Sequence, residues 1–260
     1  MTNATFGVIV PISNTLSSPL NQVPVLEFKS NNTPATARVD IVDVNNIGDE
    51  RIDVCNVTNH TLTQSLAIIE FLDNLYPLGT KQDQYPLLPQ DPLLCAKVRQ
   101  IANIVNSGIQ PLQSINILRL VHEVDVNGER GNGTLFAKSK TEEGLNAIEG
   151  LLAEIRTETV KKQNNKNENN NNNKNDNKTQ IQIQTAFQLS LNSLFAVGTD
   201  YPTLADLCII PQIYNARYRL HIPVNDVTHP HLSAVDRLCN SLKAFQLAAP
   251  DMQPDAVVVL

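Results

Sequence analysis

The segment from Leu204 to Ala216 is apolar nearly all round, and a helix of that kind has to be enclosed by other elements. It therefore predicts the buried central helix of a helical domain. Ahead of it, Thr203-Leu204-Ala205-Asp206 has the Ser/Thr-x-x-Asp form of a capping box. In that motif a hydroxyl caps the helix start while the acidic side chain reaches back to the open backbone. Pro211 predicts a kink within the helix.

The companions of this helix can be read on both sides of it. Asp91-Pro92 combines an N-cap acceptor with proline at the first helical position, and Leu94, Val98, Ile101 and Val105 follow as a core-facing stripe. Gly108 and Pro111 interrupt the run, and a second helix carries Leu112, Ile115, Leu118 and Leu120. His122 to Thr134 is a Gly- and Asn-rich loop. Thr141 to Thr159 is helical again, with Leu145, Ile148, Leu152 and Ile155 in register. A last helix starts near Ser233 and places Val235, Leu238, Leu242 and Phe245 on one face. Between these helices lies Lys161 to Lys178, which is mostly Asn and charged residues. Such a segment buries too little apolar surface to offset its ordering entropy, so it predicts a disordered insertion.

The first third of the chain has a different pattern. Gln22 to Phe28 reads as a short strand reached through Pro24. Residues 29 to 59 form a polar insertion in which Ala37 to Val44 and Arg51 to Val57 are the candidate arms of a hairpin. A helix begins at Gln64 or Ser65, presents Ile68, Leu72 and Leu75 on one face, and is stopped by Pro77. Leu78 to Gln90 reads as a linker. The organisation expected is thus a domain at 1–80, a linker at 81–90 and an all-helical domain at 91–260.

With a net charge of -6 and no Lys/Arg cluster, nothing suggests the concentrated positive charge that nucleic acid or an anionic membrane surface demands. No apolar stretch is long enough to span a bilayer, and Met1 to Leu16 lacks the basic lead and cleavage pattern of a signal peptide. The expectation is an intracellular protein. Cys55, Cys95, Cys208 and Cys239 are widely spaced; three of them sit in apolar helical patterns, where a free thiol acts as a small hydrophobe. No metal site is expected.

Two short elements carry chemistry. The first backbone N–H groups of a helix are open and lie at its positive end, so Gln64-Ser65 suits a carboxylate, with a hydroxyl and an amide to orient it. The alternative is that Ser65 is simply an N-cap. Val23-Pro24 heads a strand, where a cis proline shapes a turn that offers backbone groups to an extended peptide; a trans bond at a strand start is the commoner case.

Ser18 to Leu26 (SPLNQVPVL) and Gln64 to Leu72 (QSLAIIEFL) together resemble the thioredoxin-like domain of glutathione transferases. Leu87 to Pro92 (LLPQDP), Ser107 to Gln113 (SGIQPLQ), Gly144 to Glu149 (GLNAIE) and Thr203 to Arg217 resemble the helical domain of the zeta class, which includes maleylacetoacetate isomerase. The resemblance implies a two-domain glutathione-transferase fold, a thioredoxin-like α/β domain followed by an all-α domain, and a homodimer. It implies glutathione as cosubstrate and maleylacetoacetate, or a related electrophile, as small-molecule substrate, isomerised to fumarylacetoacetate in phenylalanine and tyrosine breakdown. By the same resemblance Val23 pairs its backbone with the cysteinyl part of glutathione, and Gln64 and Ser65 hold the γ-glutamyl carboxylate. Gln110 contacts the tripeptide or the substrate, and Ser114, Ile115 and Asn116 occupy the family's Asn-Leu-Ser position. Arg217 and Arg219 stand where the family has basic residues, as anion contacts or as solvated helix-end charges.

The pattern departs from the family at its start. Only Met1 to Ser17 precede the Val-Pro element, too little for a first βαβ unit and its Ser-Ser-Cys-type motif, so no catalytic residue is assigned. The expectation is a missing upstream segment, with a genuinely shorter variant as the alternative. The rival functions are a transferase conjugating other electrophiles and a catalytically silent binding module.

Overall fold

The computed structural model describes residues 25–27, 37–38, 53–54, 61–75, 78–80, 83–126, 129–168 and 193–253. The chain separates into two compact units, 1–87 and 88–260.

In the first unit, β1 (Val25–Glu27) runs antiparallel to β4 (Thr61–Thr63), with Val25 opposite Thr63 and Glu27 opposite Thr61. Inside the polar insertion, β2 (Ala37–Arg38) pairs with β3 (Asp53–Val54) as a separate two-stranded sheet. Helix α1 (Ser65–Leu75) follows β4 directly. Its buried Ile68 packs with Leu62, Phe71 and Leu72, much of the face that the sequence spacing indicates. The stretch read as linker is partly ordered: β5 (Leu78–Thr80) and β6 (Asp83–Tyr85) pair antiparallel, and the Leu87 N–H donates to Asp73 Oδ2 at 3.0 Å.

The second unit is helical, apart from a small strand pair, β7 (Asp125–Val126) with β8 (Glu129–Arg130). Helix α2 (Pro92–Asn103) starts as its sequence specifies, Asp91 accepting the Leu94 N–H at 2.7 Å. It does not break at Gly108. The chain winds on through a π-helical segment (Ile104–Ile109) and a 3-10 turn (Gln110–Gln113) into α3 (Ile115–Glu123). Of the apolar residues expected on this second helix, Ile115 is 65% and Leu120 58% exposed.

Helix α4 (Gly133–Glu168) is longer at both ends than expected. It buries Ala137, Thr141, Leu145, Ile148, Leu152, Ile155 and Val160 along one face. Its last turns run through Lys161 to Glu168, which corrects the reading of the whole Asn-rich segment as disordered; residues 169–178 of it lie outside the described residues. The physical reason is cooperativity: adding turns to an existing helix avoids the cost of nucleating a new one. Two glycines on α4 differ sharply. A Cβ on Gly144 would come within 2.3 Å of Ile109 Cγ1, whereas one on Gly150 would meet nothing within 4 Å.

Helix α5 (Leu204–Arg219) is the central helix the sequence predicts, and it passes through Pro211. It buries Leu204, Ala205, Asp206, Ile209, Gln212, Ile213 and Ala216. At its start, Asp206 is fully buried. One carboxylate oxygen accepts the Thr203 N–H (2.8 Å) and hydroxyl (2.9 Å), and the other accepts the Ala196 N–H (2.8 Å). Burial pushes this carboxyl above the usual range, outweighing the pull of those donors. Helix α6 (Pro230–Ser241) begins before Ser233, because Glu149 of α4 accepts the His231 and Leu232 N–H groups at 2.8 and 2.9 Å. The last helix expected from sequence is in fact two, with extended Leu242 separating α6 from α7 (Lys243–Ala248). Among the described residues no helix is long and apolar enough to cross a membrane.

Asp206→Ala strands three buried donors, so urea denaturation should show a loss of about 3 kcal/mol or more. Gly150→Ala should raise the thermal midpoint through a gain of up to about 1 kcal/mol in helix propensity. Gly144→Ala should lower it, because Ile109 is displaced.

Candidate functional site

The start of α1 has an unusual backbone. Gln64 has φ +76°, a left-handed conformation that costs a residue with a Cβ roughly 1–3 kcal/mol. Its carbonyl accepts the Ile68 N–H at 3.0 Å, so Gln64 is the boundary residue and Ser65 is the first residue inside the helix. Ser65 therefore does not stand at the N-cap, which corrects the plainer of its two sequence readings. The open N–H groups of this first turn carry the positive end of the helix, and the turn contains no acidic side chain to neutralise them. Gln64 is exposed and Ser65 half-buried at this end. The arrangement offers donors and positive potential to an external carboxylate. Val23 lies outside the described residues; β1, which follows it in sequence, sets Val25 opposite Thr63, the residue before Gln64.

The remaining expected residues fall in the second unit, on one short stretch. Ile109 is fully buried, and the next residue, Gln110, is exposed at the head of the 3-10 turn. Ser114 ends that turn and caps α3, its hydroxyl accepting the Ile117 N–H at 3.4 Å. Ile115 and Asn116 are exposed on the first turn of α3. Gln110, Ser114, Ile115 and Asn116 are thus presented together, with Ser114 also serving as a cap. Gln64 and Ser65 belong to the first unit.

Three residues that sequence reasoning did not single out organise this stretch. Gln113 donates from Nε2 to Thr141 Oγ1 at 2.5 Å and accepts at Oε1 from Asn215 Nδ2 at 2.5 Å. Gln113 and Asn215 both occur in the blocks that carry the family resemblance, but their pairing spans 102 positions and no local spacing signals it. Arg217 is engaged within the protein and is not simply a solvated charge. It donates from Nε and Nη2 to the Val224 carbonyl at 2.9 and 2.6 Å and pairs with Asp236 of α6. Arg219 is exposed.

The thiolate form is disfavoured at two cysteines of the helical unit. Burial, reinforced by the Asp206 carboxylate, pushes Cys208 up to about 12 and Cys239 higher still. Cys95 is half-buried, and Cys55 lies outside the described residues. Among the described residues no group of three or more His, Cys, Asp or Glu is placed to hold a metal ion.

No family model matches the chain. A probable maleylacetoacetate isomerase of Caenorhabditis elegans is 34% identical over 200 residues, which cover 76% of this chain and 70% of that one. The crystal structure of a maleylacetoacetate isomerase from Anaeromyxobacter dehalogenans 2CP-1, with dicarboxyethyl glutathione and citrate in its active site, superposes with a TM-score of 0.57 at 29% identity. That match covers 92% of this chain and 74% of the other. A maleyl pyruvate isomerase, a bacterial zeta-class glutathione transferase, matches at a TM-score of 0.51 and 28% identity, over 76% of this chain and 72% of that one.

Relief of the left-handed strain should make Gln64→Gly more stable by about 1 kcal/mol in chemical denaturation. Ser65→Ala should change stability by less than about 0.5 kcal/mol, since its hydroxyl is not an N-cap.

Proposed function

This chain belongs to the maleylacetoacetate isomerase family of zeta-class glutathione transferases, and we propose that it catalyses glutathione-dependent cis–trans isomerisation of maleylacetoacetate to fumarylacetoacetate. Its fold is the glutathione-transferase fold, with a thioredoxin-like unit preceding an all-helical one. The observation that carries the proposal is the start of α1, where Gln64 is held left-handed in front of an acid-free first turn. That end fits the γ-glutamyl carboxylate of glutathione: the ligand brings the negative charge that the turn itself lacks.

When bound, glutathione supplies a nucleophilic thiol whose reversible addition turns the conjugated double bond into a rotatable single bond. In this reading Gln64 and Ser65 hold and orient the γ-glutamyl carboxylate, and the Val23 backbone pairs with the cysteinyl part. Gln110, Ser114, Ile115 and Asn116 contact the tripeptide or the electrophile. None of these side chains ionises near neutral pH, so they bind and orient and do not activate the sulfur. Burial disfavours the thiolate form of Cys208 and Cys239, which suits neither to the role of nucleophile. The reading includes a homodimer working in the cytoplasm, as the family resemblance implies. A transferase acting on other electrophiles uses the same contacts to glutathione and differs only in the second substrate.

The test is retention on immobilised glutathione together with turnover of maleylacetoacetate. Gln64→Ala and Ser65→Ala should each weaken glutathione binding by about 1–3 kcal/mol, the scale of one charge-assisted hydrogen bond. Retention without isomerisation, but with conjugation across a panel of electrophiles, would establish the transferase. Failure of both retention and turnover would leave a binding module.

A further inference from the structure

The turn that presents Gln110 is anchored on both sides. On its N-terminal side, Ile109 is fully buried and packs where α4 has no side chain, at Gly144. On its C-terminal side, Gln113 bridges α4 and α5 through Thr141 and Asn215. Thr141 and Gly144 are three residues apart and so share one face of α4. The 3-10 turn, Gln110–Gln113, is four residues long and ends on the second anchor; it contains Pro111 with its fixed φ and is closed by the Ser114 N–H donating to the Pro111 carbonyl at 3.2 Å. Gln110 therefore has little freedom of its own. Its placement follows from where the anchors hold its ends.

The orientation of the Gln113 amide is also fixed. The Thr141 hydroxyl is fully buried and gives its proton to the Ala137 carbonyl at 2.7 Å, so towards Gln113 it can only accept. That assigns the Gln113 nitrogen to Thr141 and leaves its oxygen for the Asn215 amide. Both ends of the side chain are consumed by the protein, so its contribution to chemistry is indirect.

We propose that Gln113 is a positioning residue for the reaction: its two hydrogen bonds set the 3-10 turn so that Gln110 meets the bound tripeptide or substrate. The inference rests on the reading of Gln110 as a ligand contact. A residue that acts only through another has a specific kinetic signature, since removing it costs nothing once the residue it serves is gone. A residue that only stabilises the fold does not behave in this way.

The experiment is a double-mutant cycle on the full chain, read as kcat/KM for glutathione-dependent isomerisation with thermal midpoints recorded alongside. Gln110→Ala and Gln113→Leu should each lower kcat/KM about tenfold, and the double variant should also fall about tenfold, not a hundredfold. Thr141→Val removes the acceptor for the Gln113 nitrogen while nearly keeping its volume, and so probes the same link if Gln113→Leu folds poorly. It should lower kcat/KM several-fold in the parent and have no effect in the Gln110→Ala background. Factors that multiply in both cycles, or a silent Gln113→Leu beside an impaired Gln110→Ala, would overturn the positioning role alone. A silent Gln110→Ala would overturn the Gln110 reading itself, and the role of Gln113 with it.

Discussion

The helical unit depends on the desolvated carboxylate of Asp206. Two oxygens gather donors from two places: Thr203 at the start of α5 and Ala196 in the segment before it. The second oxygen also lies 3.9 Å from Cys239 Sγ on α6. Low local dielectric strengthens each of these contacts and makes the loss of any of them costly. With its start fixed in this way, α5 transmits position along its length. Asn215 lies nine residues on, about 14 Å at the usual helical rise, and there it holds Gln113. Two residues later Arg217 ties the chain at Val224 and α6 to the same helix. The same helix thus carries a buried polar contact at one end and the contact to the Gln113 turn near the other.

A second buried polar system runs beside it along α4. Glu149 spends both carboxylate oxygens on the first N–H groups of α6, which is N-capping supplied from another helix in place of the usual local side chain. About two turns further on, Arg156 is fully buried and donates to the Leu194 carbonyl at 3.2 Å. Burial pulls its guanidinium down to about 10, although Glu149 and Asp206 both favour its charge. A buried cation is costly to desolvate, and the charges of Glu149 and Asp206 offset part of that cost. The core is built on apolar contact along α2, α4 and α5, with the charged groups of Arg156 and Asp206 buried inside it.

What the sequence disclosed, and what it did not, follows from how far each interaction reaches along the chain. Asp91-Pro92, the Thr203–Asp206 box and the Leu145–Ile155 stripe are local, and each lies where its spacing places it. The start of α6 was not legible, because its cap is 82 residues away in Glu149. Arg217 reads as a free charge until its partners on the following loop and helix are known. Gly108 looked like a helix breaker, yet the chain absorbs it in a π-helical segment and delivers Gln110 to the surface directly after a buried Ile109. At the candidate site, Gln64-Ser65 was visible as a helix start suited to an anion. The left-handed φ of Gln64 was not, because glutamine is a residue from which no local rule predicts that conformation.

That conformation has a consequence for substitution. Glycine adopts a left-handed backbone at little cost, and asparagine at less cost than most other residues. A glutamine at φ +76° carries that cost, so either smaller residue would relieve the strain at the head of α1 while taking the long amide away from the helix start.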